Sequence, residues 1–448
     1  MHRRTNRLLV ASALCALVVT AGAVGIVRSQ PDAGSAAIAA SPPAVANLAE
    51  QVARPNGASL ERTIVDLESR VATTPGDDVS WATLALAYVQ QARISVDPEF
   101  YPKAESALNR SFLANDADNF LGYAGRAALA AGLHDFSAAK DFATQGLTIN
   151  PYSSLLHGLL GDAQTQLGDY EASFATVQKM VDLSPDTASL SRASYAWELR
   201  GETTRATELM QRAFDAAPTD ADRAYTLHHL GQLAFDAGDP NKALEFELRA
   251  LTASPDDPAA QFGRAIAETA LGQTETALDH LAALTQRVPD PQYFMAYGTL
   301  LESVGRLDEA KLQYRYVAAA ITLFAANGYQ PDADAILFQI HTGDLDGAIS
   351  NAETVVKSRP FISTHDAYAW ALHAKGRDRE ALTQIEAALS LGTKSALFHF
   401  HAGMIHLAVG DTEAARRKLT QALAINPYFD PLAAPIAKQQ LETLQPTV

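Results

Sequence analysis

The sequence predicts an all-α fold, a solenoid of stacked helical hairpins, and three residue types on one period predict it. Gly168, Gly201, Gly238, Gly272, Gly305, Gly343, Gly376 and Gly410 follow one another at intervals of 33, 37, 34, 33, 38, 33 and 34 residues. Five residues after seven of these glycines stands an alanine (Ala206, Ala243, Ala277, Ala310, Ala348, Ala381 and Ala415), and after the first stands Ser173. Pro151, Pro185, Pro218, Pro255, Pro289, Pro360 and Pro427 keep the same phase. Ala and Leu recur throughout, and no stretch shows sustained alternation of β-branched residues, so the background is helical.

Each type has a physical task at its place. Glycine accepts the left-handed conformation that ends a first helix and turns the chain back. Alanine, about a turn and a half into the second helix, removes bulk where two antiparallel helices approach most closely. Proline cannot continue the second helix and forces the step to the next unit. A single hairpin would leave an apolar face wet, so neighbours must stack on it.

The repeats resemble the tetratricopeptide repeat family. In residues 227–255, Leu230-Gly231, Gly238, Ala243, Ala250 and Pro255 fall at the family's signature spacings, and in residues 399–427 Gly403, Gly410, Ala415, Ala422 and Pro427 do. Leu160-Gly161 and Tyr297-Gly298 repeat the small residue seven before the turn glycine. The resemblance covers about residues 78–427 and implies a right-handed superhelix of about nine to ten hairpins.

The elements follow in order. Residues 1–28 form an export leader: Arg3, Arg4 and Arg7 precede the uncharged run 8–27, which is long enough to cross a bilayer. Ala21-Gly22-Ala23 offers small residues for a signal peptidase, while the apolar run continuing to Val27 fits an uncleaved anchor; both readings stand. Thr5-Asn6-Arg7 matches a twin-arginine signal poorly, and Leu14 stands where a lipoprotein site wants Gly or Ala. Residues 29–57, rich in Ala, Ser, Pro and Gly, read as a disordered tether. The solenoid then occupies 58–448. Residues 58–75 are a lone capping helix, and Trp81, Leu84 and Tyr88 open a first unit whose turn is lengthened over 93–102. Residues 123–151 form a second unit with Ala139 as its close-packing residue. From Ala318 to Asp334 a helix overruns before the pattern restarts, and an amphipathic helix at about 431–444 caps the far end. Either reading of the leader places the array outside the cytoplasmic membrane, secreted or anchored by residues 8–27.

With 35 Lys plus Arg against 51 Asp plus Glu the net charge is −16, which disfavours nucleic acid and anionic membrane surfaces as partners. Membrane contact is expected only through the N-terminal segment. The single cysteine, Cys15, lies inside the leader, so the array has no disulfide, thiolate metal site or cysteine nucleophile. No G-x-S-x-G, H-E-x-x-H or phosphate-binding loop appears, and no cofactor or enzymatic activity is expected. His365, His373, His399, His401 and His406 cluster in the last two units. His399 and His401 diverge on a helix, and His399 and His406 share a face too far apart to chelate, so the expected roles are hydrogen bonds between helices or lining of the groove. An envelope enzyme, or a small-ligand or metal binder, using these histidine-rich repeats is the alternative reading.

The resemblance implies a scaffold that holds a peptide or protein in the concave groove lined by first helices. The stripe at i, i+4 and i+7 offers His228, Gln232 and Phe235; Phe262, Ile266 and Thr269; Asp366, Trp370 and His373; and Phe400, Met404 and Leu407. The paired Lys and Asn with which some relatives clamp a C-terminal carboxylate are absent. Packing between helices is the other expectation for about half of these side chains.

Overall fold

The structure is a computed structural model that describes residues 57–444; the leader, nearly all of the tether and the last four residues lie outside the described residues. The first half comprises α1 (Gly57–Thr73), α2 (Asp78–Ser95), α3 (Phe100–Ala114), α4 (Phe120–Gly132), α5 (Phe136–Ile149), α6 (Ser154–Gln166), α7 (Tyr170–Leu183), α8 (Thr187–Leu199), α9 (Thr203–Asp215), α10 (Asp220–Asp236) and α11 (Pro240–Ala253). The second comprises α12 (Pro258–Ala270), α13 (Thr274–Arg287), α14 (Pro291–Ser303), α15 (Leu307–Ala326), α16 (Ala333–Thr342), α17 (Leu345–Ser358), α18 (Ile362–Ala374), α19 (Asp378–Ala388), α20 (Ala396–Ala408), α21 (Thr412–Ile425) and α22 (Ala433–Thr443). These 22 helices, with no strand among the described residues, make ten hairpins between a capping helix at either end.

Local chemistry explains the boundaries. The periodic glycines sit in the turns with φ between 71° and 88°, the left-handed region that a Cβ disfavours. An aspartate often follows: the side chains of Asp239, Asp344 and Asp411 each accept a hydrogen bond from the third helical N–H and start the second helix. The seven phased alanines are all 2 % exposed or less, as close approach of paired helices requires. Ser173 takes the place of the eighth, and its hydroxyl donates to the Gly161 carbonyl at 2.9 Å instead of burying a methyl group.

The irregular stretches fall where the sequence breaks pattern. Val96 is left-handed (φ 55°) in the long turn between α2 and α3. α15 runs for 20 residues, past the length of its neighbours, before α16 restarts at Ala333.

That overrun has a structural outcome: the coil meets itself. Past α15, Tyr329 shares a 2.8 Å hydrogen bond with the Nε2 of His134, 195 residues earlier, and the Gln330 N–H donates to the Leu133 carbonyl. The same lower-to-upper contact recurs one unit at a time. Arg359 Nε donates to Gln166 Oε1 at 2.6 Å, the Ile362 N–H donates to the Tyr170 hydroxyl at 3.0 Å, and Asn426 Nδ2 donates to the Phe235 carbonyl at 2.8 Å. These pairs are 193, 192 and 191 residues apart, so one superhelical turn takes five to six units. Turns between paired helices of the lower coil therefore abut loops between units of the upper coil.

The turn glycines record this seam. A Cβ on Gly168, Gly201 or Gly238 would run into the carbonyls of Pro360, Gly392 and Ile425, whereas Gly272, Gly305, Gly343, Gly376 and Gly410 have nothing within 4 Å. Apolar packing crosses the seam as well: Leu199 belongs to the core of the upper coil, with Tyr170 and Tyr195 against it. No described helix is long and apolar enough to cross a membrane.

Candidate partner-binding interior

First helices line much of the inside of this coil, and two partly open cavities lie on its concave side. The larger, about 830 Å³, lies between α2, α4 and α6 of the lower coil and α15 to α17 of the upper. Its apolar wall includes Leu86, Leu155, Leu159, Met295 and Phe338, and its polar groups include Arg93, Asp290, Asp334 and Arg359. The smaller, about 460 Å³, lies between α8, α10 and α12 and the upper coil's 393–398 loop and 424–426 segment.

Charged side chains face this interior. Arg93 reaches solvent, yet burial holds its guanidinium below its ordinary value, against the opposing pull of Tyr101, Asp162 and Tyr225. Asp334 likewise reaches solvent, and burial together with Asp332 drives its pKa well up. Arg192 grips Asp162 through Nε at 3.0 Å and Nη2 at 2.9 Å, a two-pronged pair linking α8 to α6. Even so, burial leaves the Asp162 carboxyl raised.

In the smaller cavity, desolvation by the surrounding protein lifts Glu198, which is half-buried, to about 8, with the neighbouring Asp236 carboxylate adding to the effect, and lifts Asp236, whose residue is exposed to solvent, to about 6. Burial holds His229 down at about 3, so it is neutral. His228 differs. Burial disfavours its charge, but Glu247 lies 3.0 Å from Nδ1 and outweighs this, so the imidazole stands above its ordinary value. Gly231 and Gly263 make room for that carboxylate, since a Cβ on either would meet Glu247 Oε1.

The stripe of expected groove residues divides. Gln232, Phe235 and Ile266 are half-buried and border the smaller cavity, together with the more deeply buried His228 and Phe262. Thr269, on the same helix as Ile266, is half-buried and donates to the Ala265 carbonyl. Asp366, Trp370 and Phe400 are fully enclosed: Asp366 receives His401 Nδ1 at 2.9 Å, and Trp370 stacks on His401 with ring centroids 4.1 Å apart. In this conformation those three offer a partner no surface, because the helices after α17 press their inner faces together and against α22. Met404 and Leu407 are half-buried, and Met404 packs on the same core. His373 hydrogen-bonds Asp378.

The remaining histidines scatter. His365 meets Gln384 at 2.8 Å, His406 lies 3.7 Å from Asp411, and burial holds His399 at about 4. No group of three His, Cys, Asp or Glu able to hold a metal ion occurs among the described residues. The groups that the sequence reading missed are the interior carboxylates, above all Glu198 and Asp236. Their signal was available: they stand three and two residues before turn glycines Gly201 and Gly238, at the inner ends of first helices.

The tetratricopeptide repeat family matches the chain at residues 156–187 and again at 234–300. Similar solved structures include a tetratricopeptide repeat protein from Parabacteroides merdae (18% identity over 58% of this chain and 98% of that one, TM-score 0.34). Others are the APC/C hetero-tetramer Cut9–Hcn1 (13%, 90% and 97%, TM-score 0.38) and YrrB, a TPR protein with an unusual peptide-binding site (16%, 41% and 96%, TM-score 0.29). No curated protein matches. Ten phased hairpins wound into a coil define an α-solenoid of the interaction-scaffold class. Residues 156–187 and 234–300 are tetratricopeptide repeats, and the family matches support a tetratricopeptide repeat protein.

Proposed function

We propose that this chain is an extracytoplasmic scaffold that holds a segment of a partner protein inside its coil. The observation that carries the reading is the concave face, where Gln232, Phe235, Ile266 and the interior carboxylates border open space while the stacked helices behind them are closed. A cavity that mixes apolar walls with a few convergent polar groups is the usual form of a binding site. The larger cavity, about 830 Å³, has room for an extended segment with its side chains.

Two measurements test this. A photo-crosslinking residue at Gln232 should capture a partner in the native host, and the same residue at Leu248, exposed on a second helix, should not; equal capture at both ends the interior reading. For location, the apolar run 8–27 behind three arginines is the support. Leu113 is 80 % exposed and no cysteine follows Cys15, so Leu113→Cys should react with a membrane-impermeant maleimide in cells whose cytoplasmic membrane is intact. Protection until that membrane is broken would place the array in the cytoplasm.

A further inference from the structure

The smaller cavity has a chemistry of its own. Glu198 is the penultimate residue of α8 and Asp236 the last of α10, so two successive first helices bring a carboxylate each to one partly open cavity, Glu198 half-buried and Asp236 exposed. Neither carboxylate has a hydrogen-bond or ion-pair partner among the described residues. The other ionisable groups on the cavity wall do not pair with them: His229 is neutral, His228 is committed to Glu247, and Lys394 makes no ion pair with either carboxylate among the described residues. Tyr195, Phe235 and Phe262 stand on the same wall. Aromatic faces and unpaired carboxylates in one cavity both favour a cation, and they disfavour an anion or an empty, dry cavity.

We propose that this cavity is a subsite for the lysine or arginine side chain of a basic partner segment, with the cationic head between Glu198 and Asp236 and the stem against Tyr195, Phe235 and Phe262. The proposal rests on the scaffold reading above and names the chemistry of its partner. A long aliphatic stem with a charged tip matches a pocket whose walls are apolar and whose end is acidic. The overall acidity of the chain adds a long-range attraction that brings such a segment to the coil.

The test uses the full chain and a dye-labelled, acetylated penta-lysine peptide, read by fluorescence anisotropy at about pH 9, where Glu198 is ionised and lysine is still charged, with penta-glutamine as the uncharged control. Penta-lysine should bind and penta-glutamine should not. Glu198→Gln combined with Asp236→Asn should weaken penta-lysine binding by about tenfold or more. Glu208→Gln combined with Glu245→Gln, which removes the same charge from the exposed outer helices, should change it less than about twofold. Equal loss in both double variants, or equal binding of the two peptides, overturns the proposal. Both replacements are isosteric amides that relieve uncompensated charge, and circular dichroism confirms that each variant stays helical. Partner capture at Gln232 that persists while penta-lysine fails to bind leaves the scaffold standing without the cation subsite. Penta-lysine binding without capture does the reverse.

Discussion

Arg359 donates from Nε to the side-chain oxygen of Gln166 at 2.6 Å across 193 residues of chain, and this contact joins two turns of the coil. Arg359 also reaches His134 Nδ1 at 3.3 Å and lies over the Phe136 ring at 4.8 Å. A buried guanidinium thus holds a turn of the lower coil and a loop of the upper one together, which an open superhelix would have no need to do.

The seam predicts unequal costs for the same mutation at equivalent positions. Gly201 and Gly272 have nearly equal φ, 71° and 75°, but only Gly201 faces a carbonyl, that of Gly392. Gly272→Ala should pay backbone strain alone, about 1–2 kcal/mol. Gly201→Ala pays the same strain and must also push the upper loop away. Its thermal midpoint should fall further, and its radius of gyration by small-angle scattering should rise while that of Gly272→Ala does not.

His134 gives the seam an acid sensitivity. It accepts from Arg359 at Nδ1, which assigns the proton to Nε2 facing Tyr329, so it is neutral, and burial beside Arg359 holds it at about 3. A histidine lowered on folding contributes stability above its unfolded value near 6.5 and loses it progressively as pH falls toward 3. Scattering between pH 7 and pH 4 should show the coil expanding. His134→Asn, which tolerates the positive φ of 63° and can still accept from Arg359, should expand less over that range.

Glu198 acts with the opposite sign. Its carboxyl is raised to about 8, so folding disfavours the charged form. The penalty is absent below the unfolded value near 4.5 and grows until about pH 8. Glu198→Gln should therefore raise the thermal midpoint at pH 8 by on the order of 1–2 °C and leave it unchanged at pH 4. An unchanged midpoint at both would show that Glu198 is hydrated as at an open surface.

Gly263 tests the buried His228–Glu247 pair. Gly263→Ala would drive its methyl group into the Glu247 carboxylate and separate it from His228. Breaking one side of a buried pair costs roughly 3–5 kcal/mol. Gly76→Ala, where nothing lies within 4 Å, should be near neutral. Chemical denaturation of both variants reads the difference.

The hairpins were legible because each is set by residues close in sequence: a glycine that must be left-handed, an alanine five places on, a proline past the second helix. Even the overrun after Ala318 was visible as a lapse in the period. Its consequence was not, since nothing local to Tyr329 indicates that His134 waits 195 residues away. His134 was itself misleading, because it holds a turn position, with φ 63°, where its counterparts are glycines. Within the candidate site the helical stripe found Gln232, Phe235 and Ile266 at the cavity, but the same spacing on α18 and α20 reached Asp366, Trp370 and Phe400, which the final units bury. Periodicity identifies the inner face of a helix, while the pitch of the coil decides whether that face has space before it.

Contact between successive turns also limits how such a gene can change length. An open solenoid can gain or lose an internal unit and only alter its reach. Here a unit duplicated between Gly168 and Pro360 would slide every later loop along by one place, setting Gly201 and Gly238 against sequences that never had to accommodate them. Growth at the C-terminal end leaves every existing pairing in register, so lineages that vary the number of units should do so beyond the last hairpin and keep the spacing of about 193 residues intact.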